Sequence, residues 1–121
     1  MTEFGKSLMD KSLKFAVRVV KLAQYLSTER KEFVVSRQVA KSGTSIGANI
    51  REAQFAQSSS DFISKLSIAL KEGGETQYWL EVLLLAEYIT ERQYRSLRND
   101  ADRIVGLLVK SINSSKSKLS E

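Results

Sequence analysis

The chain has no cysteine, no proline and no histidine. Without cysteine there is neither a disulfide framework nor a thiolate metal site, so nothing here calls for an oxidising compartment. Without histidine the commonest general base is gone, together with the Ser-His and Cys-His nucleophile pairs and the main nitrogen ligand of transition metals. The missing prolines, with only six scattered glycines, remove the usual punctuation between strands. Long apolar runs are missing as well: the longest, Val82 to Ala86, is far below the roughly 20 residues of a membrane-spanning helix. The segment from Met1 to Leu13 alternates charged and apolar residues and carries Lys6, Asp10 and Lys11, so it does not read as a secretory signal. A cytoplasmic protein with no membrane partner is the expectation.

What is present is 121 residues, 42% hydrophobic and 27% charged, the size and balance of one globular core. Apolar residues recur at three- and four-residue spacing. Polar clusters interrupt them at 27–31, 58–60 and 88–90. This predicts an all-α chain with helices over 4–27, 32–57, 60–88 and 91–114, a single domain over 1–114 and a flexible Ser- and Lys-rich tail over 115–121. Thr90 and Gln93 have capping-box spacing, and Ser60-Asp61 offers a cap with a carboxylate at a helix N-terminus. Such short turns make successive helices antiparallel, the geometry of an up-down-up-down four-helix bundle.

The apolar surface exceeds what one bundle needs. Leu8, Phe15, Val19, Leu22 and Leu26 share one narrow face of the first helix, as core residues should. Leu13, Val17 and Val20 point to a second side. The third helix repeats the pattern: Phe62, Leu66, Ala69, Leu70, Gly73, Leu80 and Leu84 form one face, and Ile68, Trp79, Val82, Leu83 and Ala86 another, adjoined by Glu72 and Glu75. A broad apolar stripe with an aromatic and a few polar neighbours is typical of subunit interfaces. Glu72, Glu75, Trp79, Val82 and Ala86 are therefore the expected contacts of a homo-oligomer, the alternative being that the bundle buries both faces itself. Small residues run from Ser42 to Asn49, and Gly43 and Gly47 lie on one side of the second helix, where close helix approach would offset the roughly 1 kcal/mol that each glycine costs. Gly73-Gly74 would be the facing surface. A phosphate-binding glycine loop is disfavoured, because its patterns and strands are absent.

Net charge is +5, which makes a polyanionic partner plausible. Lys11, Lys14, Arg18 and Lys21 occupy one arc of the first helix that no acidic residue of that helix face shares. Arg37 and Lys41 lie with Arg51 on one face of the second, and Arg92, Arg95, Arg103 and Lys110 give the fourth a basic side. The third helix is acidic, with Lys65 and Lys71 against Asp61, Glu72, Glu75, Glu81 and Glu87. Cations spaced along a groove suit phosphate contacts, so Lys11, Lys14, Arg18, Lys21, Arg37 and Lys41 are the candidate nucleic-acid-binding residues, for sequence-tolerant and salt-dependent binding of RNA or DNA. The competing reading is an adaptor whose basic surface meets an acidic protein. An enzyme is not expected: Glu72 and Glu75 are three apart, but bundle di-metal sites of the usual kind add a Glu-x-x-His pair. No cofactor and no metal are expected.

The run Ser42-Gly43-Thr44-Ser45-Ile46-Gly47-Ala48-Asn49-Ile50-Arg51-Glu52-Ala53, then Phe62 to Leu70, then Lys71-Glu72-Gly73-Gly74-Glu75-Thr76-Gln77-Tyr78-Trp79-Leu80-Glu81, resembles the small four-helix proteins encoded within intervening sequences of bacterial 23S ribosomal RNA genes, once called S23 ribosomal proteins. The resemblance covers nearly the whole chain. It implies a non-enzymatic subunit of a five-membered ring. That family is in turn similar to the accessory protein of diversity-generating retroelements, which implies a reverse transcriptase as a further partner. Asn49, Arg51, Glu52, Glu72, Glu75 and Trp79 match the family pattern, and packing and subunit contact are the roles it implies for them.

Overall fold

A computed structural model describes residues 2–120. Within them the chain is all-helical: α1 is Glu3–Thr28, α2 Val35–Ala53, α3 Ser59–Leu85 and α4 Glu91–Ser120. Each helix packs on its sequence neighbours, and α1 closes the bundle against α4 in the sparsest of the four contacts. No helix of the described residues is long and apolar enough to cross a membrane.

The helix boundaries follow local chemistry. Thr2 caps α1 by accepting from the Gly5 amide at 3.0 Å. Thr90 and Gln93 form the expected capping box before α4, with reciprocal bonds of 2.8 and 3.1 Å. The helix α3 begins at Ser59, one residue before the expected 60, and its cap lies two residues before Ser60. Ser58 is the N-cap, accepting from the Asp61 amide, and the Asp61 carboxylate reaches back to the Gln57 amide. Three residues at the entry to α2 that the sequence reading assigned to helix are instead loop, and Glu32 there takes the place of a cap: its carboxylate accepts from the amides of Val34, Val35 and Ser36. A carboxylate on these free N–H groups also meets the positive end of the helix dipole. At the other end, α4 does not stop at 114. It continues to Ser120, beside the turn between α2 and α3, where Ser115, Lys118 and Leu119 share a cleft with Ala56 and Phe62. No proline or glycine interrupts the tail, and that neighbouring surface gives its last turns something to lie against.

The turn after α3 stores strain. Ala86 ends the helix and Glu87 follows at φ 66°, with Tyr88 donating to the Leu83 carbonyl and Glu87 to the Leu84 carbonyl. These are the two bonds of a Schellman motif, whose left-handed position favours glycine. Arg30, from the turn between α1 and α2, holds this strained segment: it donates to the carbonyls of Tyr88 and Glu87 at 2.9 and 3.3 Å and lies 4.9 Å over the Tyr88 ring. Because the Glu87 side chain is exposed, Glu87→Gly should stabilise the fold by about 1 kcal/mol, measurable as a rise in the midpoint of urea unfolding; a fall would mean that the left-handed turn is not strained.

The core confirms the first-helix reading, with Leu8, Phe15, Val19, Leu22 and Leu26 all buried. It corrects the third-helix reading. Leu83, expected on the outer face, is fully buried, whereas Leu84 is half-buried. The glycines are also repartnered. A Cβ on Gly43 would meet the Val19 side chain at 2.7 Å, and one on Gly47 would meet Ser12 Oγ at 3.3 Å, so both serve the contact with α1 rather than with Gly73-Gly74. Gly73 approaches Val105 of α4, and Gly74 faces open space. The contact between α2 and α3 instead carries a buried hydrogen bond from Thr76 to Ser42, 2.9 Å long.

Candidate nucleic-acid interface

The α1 arc of cations lies on the flank that faces α4. Lys11 and Lys14 share a cleft of about 240 Å³ with Asp10, Asp100, Arg103 and Ile104. Arg18 and Lys21 share the next, about 290 Å³, with Leu22, Tyr25, Gln93 and Leu97. The seam between α1 and α4 therefore gathers five cations against two carboxylates. Arg103 joins the arc from α4, and Lys110 continues the line toward the N-terminal end of α1, where it shares a cleft with Phe4.

The stripe is less free than its place on one helix suggests. Arg18 donates to Asp100 Oδ2 at 2.7 Å, to Ser96 Oγ at 2.9 Å and to the Ser96 carbonyl at 3.3 Å. It is a tether between α1 and α4 as much as a surface cation. Lys14 pairs with Asp10 at 3.1 Å, and Lys11 donates to Ser7 Oγ. The Lys14 pair is solvent-exposed on both sides, so it is worth at most a few tenths of a kcal/mol and yields readily to a phosphate. Lys21 makes no ion pair among the described residues. Asp100 escapes a reading of α1 alone because it lies 82 residues away in sequence.

Arg37 and Lys41 do not join this seam. The α1 flank that faces α2 is apolar: Met9, Leu13 and Ala16 line a groove of about 230 Å³ with Thr44, Gly47, Ala48 and Arg51. Leu13, Val17 and Val20 remain exposed beside it. Arg37 and Lys41 lie on the outward face of α2, across that apolar face from the lysines of α1. The six candidates thus divide into four on the seam and two elsewhere.

The candidate interface residues of α3 and its C-cap differ in how exposed they are. Trp79 is half-buried against the core and donates from Nε1 to Glu75 at 3.3 Å. Val82 is half-buried, Glu72 half-buried and Ala86 exposed. Neither Glu72 nor Glu75 pairs with Arg51 within the chain. On the opposite flank, α3 is linked to α4 by Arg98, which bonds Asp102 at 2.7 Å and lies 3.8 Å from Glu81. The Asp102 hydrogen bond holds the Arg98 guanidinium above its ordinary pKa.

These features define a class: an all-α, four-helix chain with a basic seam, an exposed apolar flank and an acidic, aromatic-bearing helix. The family described as 23S rRNA-intervening sequence protein matches residues 7–110, and the chain belongs to it. A crystal structure at 1.70 Å resolution of a protein of unknown function from the S23 ribosomal protein family of Bacteroides thetaiotaomicron VPI-5482 is similar throughout, with 57% identity and a TM-score of 0.90 over 91% of this chain and 98% of that one. No functionally curated protein matches at a significant level.

Proposed function

We propose that the chain is a non-enzymatic subunit of a homo-oligomeric ring, a pentamer, that binds RNA or DNA through the seam between α1 and α4, as an accessory to a larger machine such as a reverse transcriptase. The observation that carries the nucleic-acid reading is the gathering of five cations against two carboxylates in two successive clefts between α1 and α4. Phosphate contacts need spaced positive charge and little else, and a ring repeats that charge around its axis. The test is fluorescence anisotropy with mixed-sequence RNA across a salt series. With about four phosphates engaged, affinity should fall about 10²-fold between about 50 and 200 mM salt. No binding at low salt would instead favour an acidic protein partner.

The assembly reading rests on two different unpartnered faces. The flank of α1 around Leu13, Val17 and Val20 is exposed and apolar, with Arg51 at its edge, whereas α3 offers Trp79, Val82 and Ala86 beside Glu72 and Glu75. Joining unlike faces head to tail generates rings when the rotation closes. Trp79→Ala should weaken each contact by about 2 kcal/mol, seen as a smaller species by light scattering coupled to size exclusion. Since Trp79 also touches the core, Ala86→Arg, at an exposed position, provides the cleaner variant. An unchanged oligomer in both would remove α3 from the interface.

A further inference from the structure

The basic seam does not end in charge. At its N-terminal end a cleft of about 440 Å³ is lined by Phe4 and Phe62, with Lys110 and Lys118 and the hydroxyl-bearing Ser111, Ser114 and Ser115 around them. That volume lies in the range of small-ligand pockets. Phe4 belongs to the first turn of α1 and is half-buried without forming part of the buried cluster, whereas Phe62 packs against it. At the far end of the same seam, Tyr25 lines the cleft with Arg18 and Lys21 and is partly exposed. Phe4 and Tyr25 are 21 positions apart on one helix, or about 32 Å at the helical rise. All the cations of the α1 arc lie between them.

We propose that the seam takes an unpaired nucleic-acid strand in preference to a duplex, with its phosphates along the lysines and a base in the cleft of Phe4 and Phe62. This rests on the nucleic-acid reading above and specifies its substrate. Point charges alone serve either form, because both present phosphates. Aromatic side chains recessed in a cleft serve only the unpaired strand: a paired base keeps its faces stacked inside the helix, whereas a free one can be splayed out and stacked. The serines and lysines around the rings match the rest of such a nucleotide, donating to base edges and to the flanking phosphate. A basic track with aromatic platforms is the general arrangement for single-strand binding without strong sequence preference.

The experiment compares three labelled probes of one length at low salt, each made as RNA and as DNA: a mixed-sequence single strand, the same backbone without bases, and the duplex. The single strand should bind about tenfold more tightly than either of the others, and the tighter of the two sugar series identifies the natural backbone. Phe4→Ala should erase that margin and leave binding at the level of the base-free strand, Phe4→Trp should retain it, and both should keep the helical circular-dichroism signal. Equal binding of the base-bearing and base-free strands, tighter binding of the duplex, or a Phe4→Ala protein that keeps the margin would each overturn the proposal while leaving the charged seam intact as a phosphate site. Failure of all three probes to bind would overturn the nucleic-acid reading itself.

Discussion

Gly43→Ala should destabilise the fold by about 2 kcal/mol, although alanine is the better helix former by about 1 kcal/mol. The added Cβ would lie 2.7 and 2.8 Å from the two γ carbons of Val19 and 3.1 Å from its β carbon. Val19 is fully buried, and a valine on a helix has one strongly preferred rotamer, so it cannot swing aside. The helices must separate, and overpacking of this kind costs about 1 to 3 kcal/mol beyond any propensity gain. Gly74→Ala is the internal control. Nothing lies within 4 Å of its Cβ, so there the propensity gain should appear unopposed, as about 1 kcal/mol of stabilisation. Urea unfolding of the two variants should therefore move in opposite directions. In a double-mutant cycle, Val19→Ala should remove most of the penalty at Gly43, showing a coupling of about 1 to 2 kcal/mol. If Gly43→Ala behaves like Gly74→Ala, the close approach of α1 and α2 is not there.

The same contact bears on the site. Gly43 and Gly47 draw one flank of α1 onto α2, so the opposite flank, with its lysines, is presented where α4 packs most loosely. Periodicity made much of this legible. The α1 core face follows from spacing alone, because burial repeats with the helix and needs no knowledge of neighbours. The four α1 seam cations follow for the same reason. What periodicity lacks is the identity of the helix beyond each flank. Glycines at 43 and 47 indicate that something comes close, but sequence distance does not choose between Val19 and Ser12 on one side and Gly73 on the other, all of them tens of residues away. Arg37 and Lys41 were grouped with the α1 arc by charge, although an apolar flank separates them in the fold. The ties of Arg18 leave no mark in the spacing of α1, because its partners, Ser96 and Asp100, lie on the last helix. The left-handed Glu87 carries no signal, since its position favours a glycine that the sequence does not supply. Phe4 and Phe62 begin two helices 58 positions apart, and only the bundle, in which α4 runs antiparallel to both α1 and α3, brings them to one cleft.

These corrections decide how the seam should be tested. Reversing Lys11, Lys14 and Lys21 together to glutamate should lower affinity for a mixed-sequence RNA strand by about 10²- to 10³-fold at about 50 mM salt, or roughly 3 to 4 kcal/mol. Three phosphate contacts are lost and three repulsions gained, so the slope of log affinity against log salt should also shrink by about 2 to 3. Stability should change little. Lys14 and Lys21 are exposed, and the one ion pair lost, with Asp10, is exposed on both sides. Arg18 is deliberately left in place. Arg18→Glu would set a carboxylate against Asp100 and remove three hydrogen bonds that join α1 to α4, so any loss of binding there would confound a surface with a tether. Asp100→Asn gives the complementary arm: it weakens the tether's ion pair while making the seam more basic, and should raise affinity a few-fold. Opposite effects from the triple reversal and from Asp100→Asn, in proteins of unchanged helicity and oligomer size, are what an electrostatic seam requires. A triple variant that binds as the unmodified protein does would place the interface elsewhere and leave Arg37, Lys41 and Arg51 on α2 as the next surface to reverse.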